Sequence, residues 1–379
     1  MKDMKIGIDA RFFGPRSGGG GIGRYVAELV THLQMIDHRN EYILFLRKEN
    51  FHECRIRNPR FYKQLVNIPW YSWKEQTELP REIRHARVDF MHFPHWNVPL
   101  FSKIPFLVTI HDLILLEDPE SAHSTTKGPL IHGIKYAAFR TVLEHAVKKS
   151  RHILTISKYS RASILKHFRV RPEKITVIPN GVLPPERPRT VSLTQLGVYE
   201  PYFLYVGNAY PHKNPEMMMH AFRQFTEHDH QTQLVIAGRR DPFSQALEKE
   251  AEEIGIPKHR LRFVDLPTDE EIATLYEHAA LFIFPSRLEG FGIPPLEAMS
   301  HGVPVACSSA SSLPEVCGNA AAYFHPDDIE TLSELMQKSV KEPTYFTPLV
   351  ERGFRRAKLF TWEETAKKIL DVYERFFYL

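Results

Sequence analysis

Three cysteines, Cys54, Cys307 and Cys317, are all that 379 residues contain, and no two of them form a C-x-x-C pair. So sparse and odd-numbered a set excludes a disulfide-stapled secreted fold and points to a reducing, cytoplasmic compartment. No apolar run has the length that crosses a bilayer, and the first residues lead directly into a strand-like segment, so neither a spanning helix nor a signal peptide is expected. There is no repeat period and no low-complexity tract. The basic residues are spread over many segments without a recognition helix, a zinc finger or a ribonucleoprotein motif, which argues against nucleic acid as a partner.

What is present is an ordinary globular composition, 43% hydrophobic and 25% charged, in a chain long enough for two cores. The formal charge of +4 conceals two halves of opposite sign. Residues 1–185 carry 29 Lys and Arg against 17 Asp and Glu, a surplus of 12, whereas residues 186–379 carry 20 against 28, a deficit of 8. A basic half suits an anionic surface, such as a phosphorylated acceptor or a membrane face.

Short apolar runs suited to buried parallel strands occur at 5–10, 42–46, 106–110, 152–156 and 175–178. A second series occurs at 202–206, 234–237, 261–264, 281–284 and 303–306, with helical patterns between. Two such series predict an α/β fold of two Rossmann-like doubly wound domains. The Pro-rich stretch 183–188 reads as the join, giving domains at 1–183 and 184–360. Residues 361–379 form a terminal helix, opened by Thr361 with Glu364 at capping-box spacing, that is expected to pack back on the first domain.

Chemistry concentrates in a few loops. After the run 281–284 comes a loop with Gly290 and Gly292, and then a helix entered at Pro294 or Pro295. A strand, a glycine loop and a helix N-terminus together make an anion site, because small residues let a ligand approach backbone N–H groups. Glu289 and Glu297 bracket this loop, eight positions apart. Either they accept hydrogen bonds from sugar hydroxyls, or Glu297 is a favourable first-turn acid and Glu289 a solvated charge. A second loop, Tyr205 to Pro215, places Lys213 before Asn214 and Pro215, an N-cap and first helical residue. A fixed cation there could stabilise a departing diphosphate or simply be solvated.

In the first half, Gly18 to Gly23 contains G-x-G-x-x-G, the mark of a dinucleotide-binding dehydrogenase. The spacing opposes that reading, since Arg11 to Ser17 separate the glycines from the preceding strand and Arg47 and Lys48 stand where a ribose-binding acid is wanted. A mobile lip over a cleft fits better. His111 and Asp112 follow the run 106–110 at the sheet edge where open α/β sheets place ligands. His92 and His95, placed just after another strand, lack a third metal ligand and read as cleft wall or acceptor surroundings. Residues 128–151 are amphipathic, with Ile131, Ile134, Ala138 and Leu143 on the apolar side. Their basic face is either solvated or rests on anionic lipid, with Trp70, Tyr71 and Trp73 adding an aromatic edge.

The segment Glu289-Gly-Phe-Gly-Ile-Pro-Pro-Leu-Glu297 resembles the E-x7-E signature of retaining GT-B glycosyltransferases of family 4, which includes bacterial mannosyltransferases of polysaccharide and lipopolysaccharide assembly. The likeness runs through Gly21-Ile-Gly-Arg-Tyr25, His92-Phe-Pro-His95, Thr109-Ile-His-Asp-Leu113, Ile178-Pro-Asn-Gly-Val182, Tyr205-Val-Gly-Asn208, Pro211-His-Lys-Asn214 and Ser311-Ser-Leu-Pro-Glu-Val316. It implies two domains facing each other across a cleft, the first for the acceptor and the second for a nucleotide-sugar donor. It implies that Glu297 binds ribose, Glu289 the donor sugar and Lys213 the diphosphate, with Gly290, Phe291, Gly292 and Ile293 around sugar and phosphate. His111 would point to the anomeric centre, with Asp112 orienting its ring. The resemblance also implies donor contacts at Gly21 and Gly23, with Arg24 beside them. Many family members carry an arginine after the glycine where this chain has Asn208, and Arg239 and Arg287 are the weaker candidates for that second cation.

The absence of any D-x-D triplet agrees with transfer that needs no metal and no cofactor beyond the nucleotide sugar. The reaction implied is transfer of a hexose, mannose from GDP-mannose by first choice, to a saccharide or lipid-linked acceptor at the inner face of the cytoplasmic membrane. A UDP-dependent glucosyl- or N-acetylglucosaminyltransferase, a nucleotide-sugar epimerase, an NAD-dependent dehydrogenase and a non-catalytic sensor remain alternatives.

Overall fold

Thirteen short strands, nearly all buried, form two parallel sheets in a computed structural model that describes residues 3–14, 20–119, 129–185 and 191–378. Of the expected features, Gly18 and Gly19, the join residues 186–188 and the side chain of Ile131 lie outside the described residues. The chain divides into two units. The first comprises Met1–Leu113, His123–Gly181 and Thr361–Leu379, and the second Ile114–Ala122 and Val182–Phe360.

The first unit holds seven strands: β1 (Lys5–Asp9), β2 (Glu41–Leu46), β3 (Phe61–Leu65), β4 (Phe90–Phe93), β5 (Phe106–Ile110), β6 (His152–Thr155) and β7 (Ile175–Val177). Their order is β3-β2-β1-β4-β5-β6-β7, with Ile6 in register between Tyr42 and Phe90. The second unit holds β8 (Tyr202–Val206), β9 (Gln233–Gly238), β10 (Leu261–Asp265), β11 (Leu281–Phe284), β12 (Val305–Ser308) and β13 (Ala322–Phe324), in the order β10-β9-β8-β11-β12-β13. In each sheet the strand order reverses once, between β1 and β4 and between β8 and β11. Loops leaving the carboxyl ends of such a pair splay apart and leave a crevice, which is where doubly wound sheets hold ligands.

The helix Trp362–Tyr378 belongs to the first unit although it follows the second in sequence. Its Glu364 N–H donates to Thr361 Oγ1 at 3.2 Å, as the capping spacing predicted. Trp362, Ala366, Ile369 and Tyr373 enter the same apolar cluster as β1, β2 and the helix Gly21–Ile36. Thr365 Oγ1 donates to the Pro179 carbonyl at 2.8 Å, and a Cβ on Gly181 would meet the Trp362 backbone at 2.2 Å.

Two expectations change. His92 does not follow a strand but sits inside β4, fully buried, with Nδ1 2.6 Å from the Tyr373 hydroxyl and Nε2 2.8 Å from Thr109 Oγ1. It is a satisfied core histidine, which removes it from the acceptor surroundings. In the helix Pro129–Lys149, Leu143 is buried as expected but Ile134 is 65% exposed and Ala138 is also exposed, so the apolar stripe covers only the C-terminal half. No helix among the described residues is long and apolar enough to cross a membrane.

Candidate active site

The loops after β8 and β11 flank the switch point of the second sheet, and they are stitched together there. The β8 loop ends in a short turn, Pro211–Lys213, closed by Asn214 in the left-handed region at φ +58°. Asparagine tolerates that backbone better than most side chains. Asn214 does start the helix Pro215–Phe225, yet its side chain does not cap it. It donates instead to the carbonyls of Pro285 and Pro326, at 3.2 and 2.7 Å. The His212 carbonyl accepts from the Arg287 N–H at 2.8 Å, so backbone and side chain both tie the two loops.

This stitching brings Lys213 Nζ to 2.5 Å from Glu289 Oε1, across 76 positions of sequence. Glu289 is only 7% exposed, and its carboxylate also accepts from Ser286 Oγ at 2.8 Å. Its N–H donates to Ser311 Oγ at 3.0 Å, while Ser312 Oγ donates to the carbonyls of Glu289 and Phe291. Ser311 itself sits at φ +54°. A serine in that region is strained, and the loop after β12 holds it so that its hydroxyl meets the Glu289 backbone. Ser286, Ser311 and Ser312 did not stand out in the sequence as partners of Glu289, because small hydroxyl residues in loops have no distinguishing spacing.

Beyond Glu289, Gly292 adopts φ +97° and immediately precedes the helix Ile293–Ser300, which therefore begins one residue before the expected prolines. Glycine is required twice here, by the backbone angle and by Leu313 Cδ2, which lies 2.6 Å from where a Cβ would stand. Pro294 and Pro295 occupy the first turn, where a missing N–H costs nothing. Glu297 is on the next turn and receives the Tyr276 hydroxyl at 3.3 Å, and Tyr276 in turn stacks on His301. The two glutamates thus have separate surroundings, one fixed by Lys213 and serines, the other by a tyrosine.

Arg287 is committed to an ion pair with Asp327. Arg239 lies in a pocket at the carboxyl ends of β8, β9 and β10, lined also by Gly207, Gly238, Phe263 and Asp265. Asn208 adjoins that pocket, with its Oδ1 enclosed and unpaired and its carbonyl accepting from the Tyr205 hydroxyl at 2.6 Å.

In the first unit, His111 follows β5 and is 9% exposed. Its Nε2 donates to the Pro94 carbonyl at 2.8 Å, which leaves Nδ1 as an acceptor. Burial pulls its pKa down to about 4, so the ring is neutral at physiological pH. The Tyr25 ring meets it edge-on at 4.7 Å. Asp112 and Arg24 lie nearby in sequence and are both engaged in further contacts. Gly23 is buried against the turn at Gly14, whose carbonyl lies 2.2 Å from a hypothetical Cβ, while Gly21 opens on empty space. A 3-10 turn, Ala10–Phe12, intervenes between β1 and these glycines, which is the displacement that counts against a dinucleotide fingerprint. No group of three or more His, Cys, Asp or Glu that could hold a metal occurs among the described residues.

Two doubly wound units with loops gathered at a switch point are the architecture of the GT-B glycosyltransferases. Residues 19–184 match Glycosyltransferase Family 4 and residues 194–356 match Glycosyl transferases group 1, and the chain belongs to this glycosyltransferase family. It is 28% identical over 379 residues to the O-antigen chain mannosyltransferase B of Escherichia coli, spanning 93% of this chain and 96% of that one. It is 30% identical over 267 residues to the O-antigen chain mannosyltransferase RfbU of Salmonella typhimurium, spanning 70% and 69%. Among solved structures, sucrose-phosphate synthase from Thermosynechococcus elongatus superimposes with a TM-score of 0.78 at 21% identity over 99% of both chains. Anabaena HepE in complex with UDP and glucose gives 0.75 at 17% identity over 98% and 100%. These two similarities establish the fold. The dehydrogenase alternative is set aside.

Proposed function

We propose that the protein transfers mannose from GDP-mannose to a growing saccharide of a cell-surface glycan, with retention of the α configuration. The observation that carries the site assignment is the 2.5 Å contact of Lys213 with the buried Glu289 at the switch point of the second unit. The choice of mannose rests on relatives named as O-antigen mannosyltransferases.

In this reading the donor lies on the second unit. Lys213 exchanges Glu289 for the diphosphate, Glu289 takes hydroxyls of the sugar, and Glu297 takes the ribose. Backbone N–H groups of Gly290 to Ile293 face sugar and phosphate at the start of the helix. The acceptor hydroxyl attacks the anomeric carbon as the bond to the diphosphate oxygen breaks, and its proton passes to that departing oxygen. Charge builds on the leaving group, where a fixed cation lowers the barrier most. His111 serves as a hydrogen-bond acceptor for the sugar, since a neutral ring whose Nε2 proton is already committed cannot act as a cation. No metal takes part, and the acceptor binds the first unit.

The test is a panel of GDP- and UDP-sugars assayed for slow hydrolysis without acceptor. Release of GDP from GDP-mannose above all others supports the reading. Preferred release of UDP, or turnover of the sugar with no nucleotide released, would replace it with a UDP-dependent transferase or an epimerase.

A further inference from the structure

On the first unit, the loop after β4 and the segment before the helix Trp73–Thr77 assemble a group of aromatic rings that the core does not account for. Trp70 stacks on Phe12 at 4.4 Å and belongs to the interior. Tyr71, the next residue, is 59% exposed and stacks on Trp96 at 5.2 Å. Trp96 meets Phe139 edge-on at 4.8 Å.

Tyr71 is held in place at a conformational cost. Its φ is +55°, a region that bulky side chains avoid. Two bonds of its own keep it there. Its N–H donates to Glu75 Oε2 at 3.0 Å, and Glu75 is itself fixed by Arg11 at 2.6 Å and by Asn97 at 2.7 Å. Its hydroxyl lies 3.0 Å from His95 Nε2. A strained backbone that places a large ring in solvent is the kind of outlier from which a binding role is inferred.

A second observation points to a ligand at the same place. His95 is buried, yet its Nδ1 is enclosed with no hydrogen-bond partner, and so is Nε1 of Trp70. Buried polar atoms are nearly always paired, so two orphans within one cluster mark a site whose polar complement comes from outside the chain. The His95 ring is 6.4 Å from that of His111, which makes the cluster continuous with the candidate active-site residue of this unit.

We propose that Tyr71 and Trp96 form a stacking platform for a pyranose ring of the saccharide acceptor, and that the enclosed, unpaired His95 Nδ1 and Trp70 Nε1 gain partners only as the rings shift to admit it. A pyranose has a face of C–H bonds and a rim of hydroxyls. The negative face of an aromatic ring takes the first, and polar atoms beside the ring take the second. The competing occupant, an anionic lipid surface, wants unpaired cations around the rings. Lys74, between Tyr71 and the helix end, is paired with Glu78 at 3.8 Å and supplies no net charge. This inference rests on the assignment of the first unit to the acceptor.

The experiment titrates the full chain with α-mannotriose, a glucose trisaccharide and an N-acetylglucosamine trisaccharide, following tryptophan fluorescence. Tyr71→Gly and Tyr71→Asn both accept a left-handed backbone, and the strain they relieve, about 1 kcal/mol, offsets the lost bond to His95, so Tm should change little, whereas a ring that only supports the fold would lower it on removal. Each should raise the half-saturating concentration of the preferred trisaccharide about tenfold, the loss of one stacked ring. Tyr199→Gly, which removes a ring 60% exposed on the second unit, should not change it. Equal affinity in the wild type and the Tyr71 variants, or no saturable response of the wild type to any trisaccharide, overturns the platform. So does loss of binding to phosphatidylglycerol vesicles on Tyr71 replacement with saccharide binding intact, which would assign the rings to lipid. Donor hydrolysis by the wild type separates the two levels. Its absence overturns the transferase reading, whereas its presence together with indifference of saccharides to Tyr71 overturns the platform alone.

Discussion

Lys213 and Glu289 neutralise each other at 2.5 Å, so the two groups that the proposed reading assigns to donor phosphate and donor sugar are each other's partner. In that reading, donor binding exchanges one ion pair for two new sets of contacts and so avoids leaving a buried charge unpaired. Glu289→Gln and Lys213→Met are each expected to lower transfer by at least about 100-fold. Their thermal stabilities should differ, because Lys213→Met strands a carboxylate that is 7% exposed whereas Glu289→Gln leaves a lysine that reaches solvent. The double variant should recover most of the Tm lost in Lys213→Met and none of the activity. Additive losses of Tm would mean that the pair is not coupled.

Ser311 offers a separation of strain from function. At φ +54° glycine is more stable than serine by about 1 kcal/mol, so Ser311→Gly should unfold at equal or higher temperature and Ser311→Ala at lower. Both lose the hydroxyl that receives the Glu289 N–H, and both should raise the donor KM. An unchanged KM in the glycine variant would show that the Glu289 loop holds its shape without this bond.

For Glu297 the informative change is Tyr276→Phe, which removes only the hydroxyl lying 3.3 Å from the carboxylate. The cost in stability should stay near 1 kcal/mol. Donor KM should rise several-fold with kcat nearly constant, as expected of a group that orients a ribose ligand. A fall in kcat at constant KM would move Glu297 from the ribose to the reacting sugar.

Histidine burial sets the acid limb of stability. His92 is held at about 3, His111 and His212 at about 4, and His95 well below its ordinary value, in each case chiefly by burial. Unfolded histidines titrate near 6.5. Between that value and about 4 the unfolded chain binds more protons than the folded one, so stability is complete above pH 6.5 and declines as pH falls. Differential scanning calorimetry should show Tm dropping steadily from pH 7 to pH 4.5. A flat Tm across that window would mean these rings are already accessible in the folded chain. Transfer itself should show no step near pH 6.5 attributable to His111.

Much of the fold was readable because buried parallel strands are near-continuous apolar runs, as β5, β8 and β11 are. Two strands escaped: β3 is an edge strand that mixes Phe61 with Lys63 and Gln64, and β13 is only three residues long. β4 was expected to end before His92, whose polar ring hid that the strand runs on to Phe93. The run assigned to 303–306 begins pairing only at Val305, after Pro304, which has no N–H to give to the ladder. At the site, the glutamates and the lysine were visible through the family's spacing and the glycines through their chemistry. Of their supports, Ser286 shares the Glu289 loop, but Ser311 and Ser312 come from the loop after β12 and Tyr276 from the helix Asp269–Glu277, and only the fold brings those together. The strained Tyr71 was equally hidden, since a positive φ at tyrosine has no mark in the sequence.

The return of the helix Trp362–Tyr378 to the first unit also governs how this protein is made. β4 completes its polar pairing through a bond from His92 to Tyr373, 281 positions away, and Trp362 closes over Gly181. A ribosome that has finished the first 181 residues therefore releases a unit with an open apolar flank, which stays open while the whole second unit is synthesised. The last helix is the closing step. A truncation before residue 361 leaves the first unit without its cover, and the nascent first unit carries that apolar surface uncovered until the last residues are made.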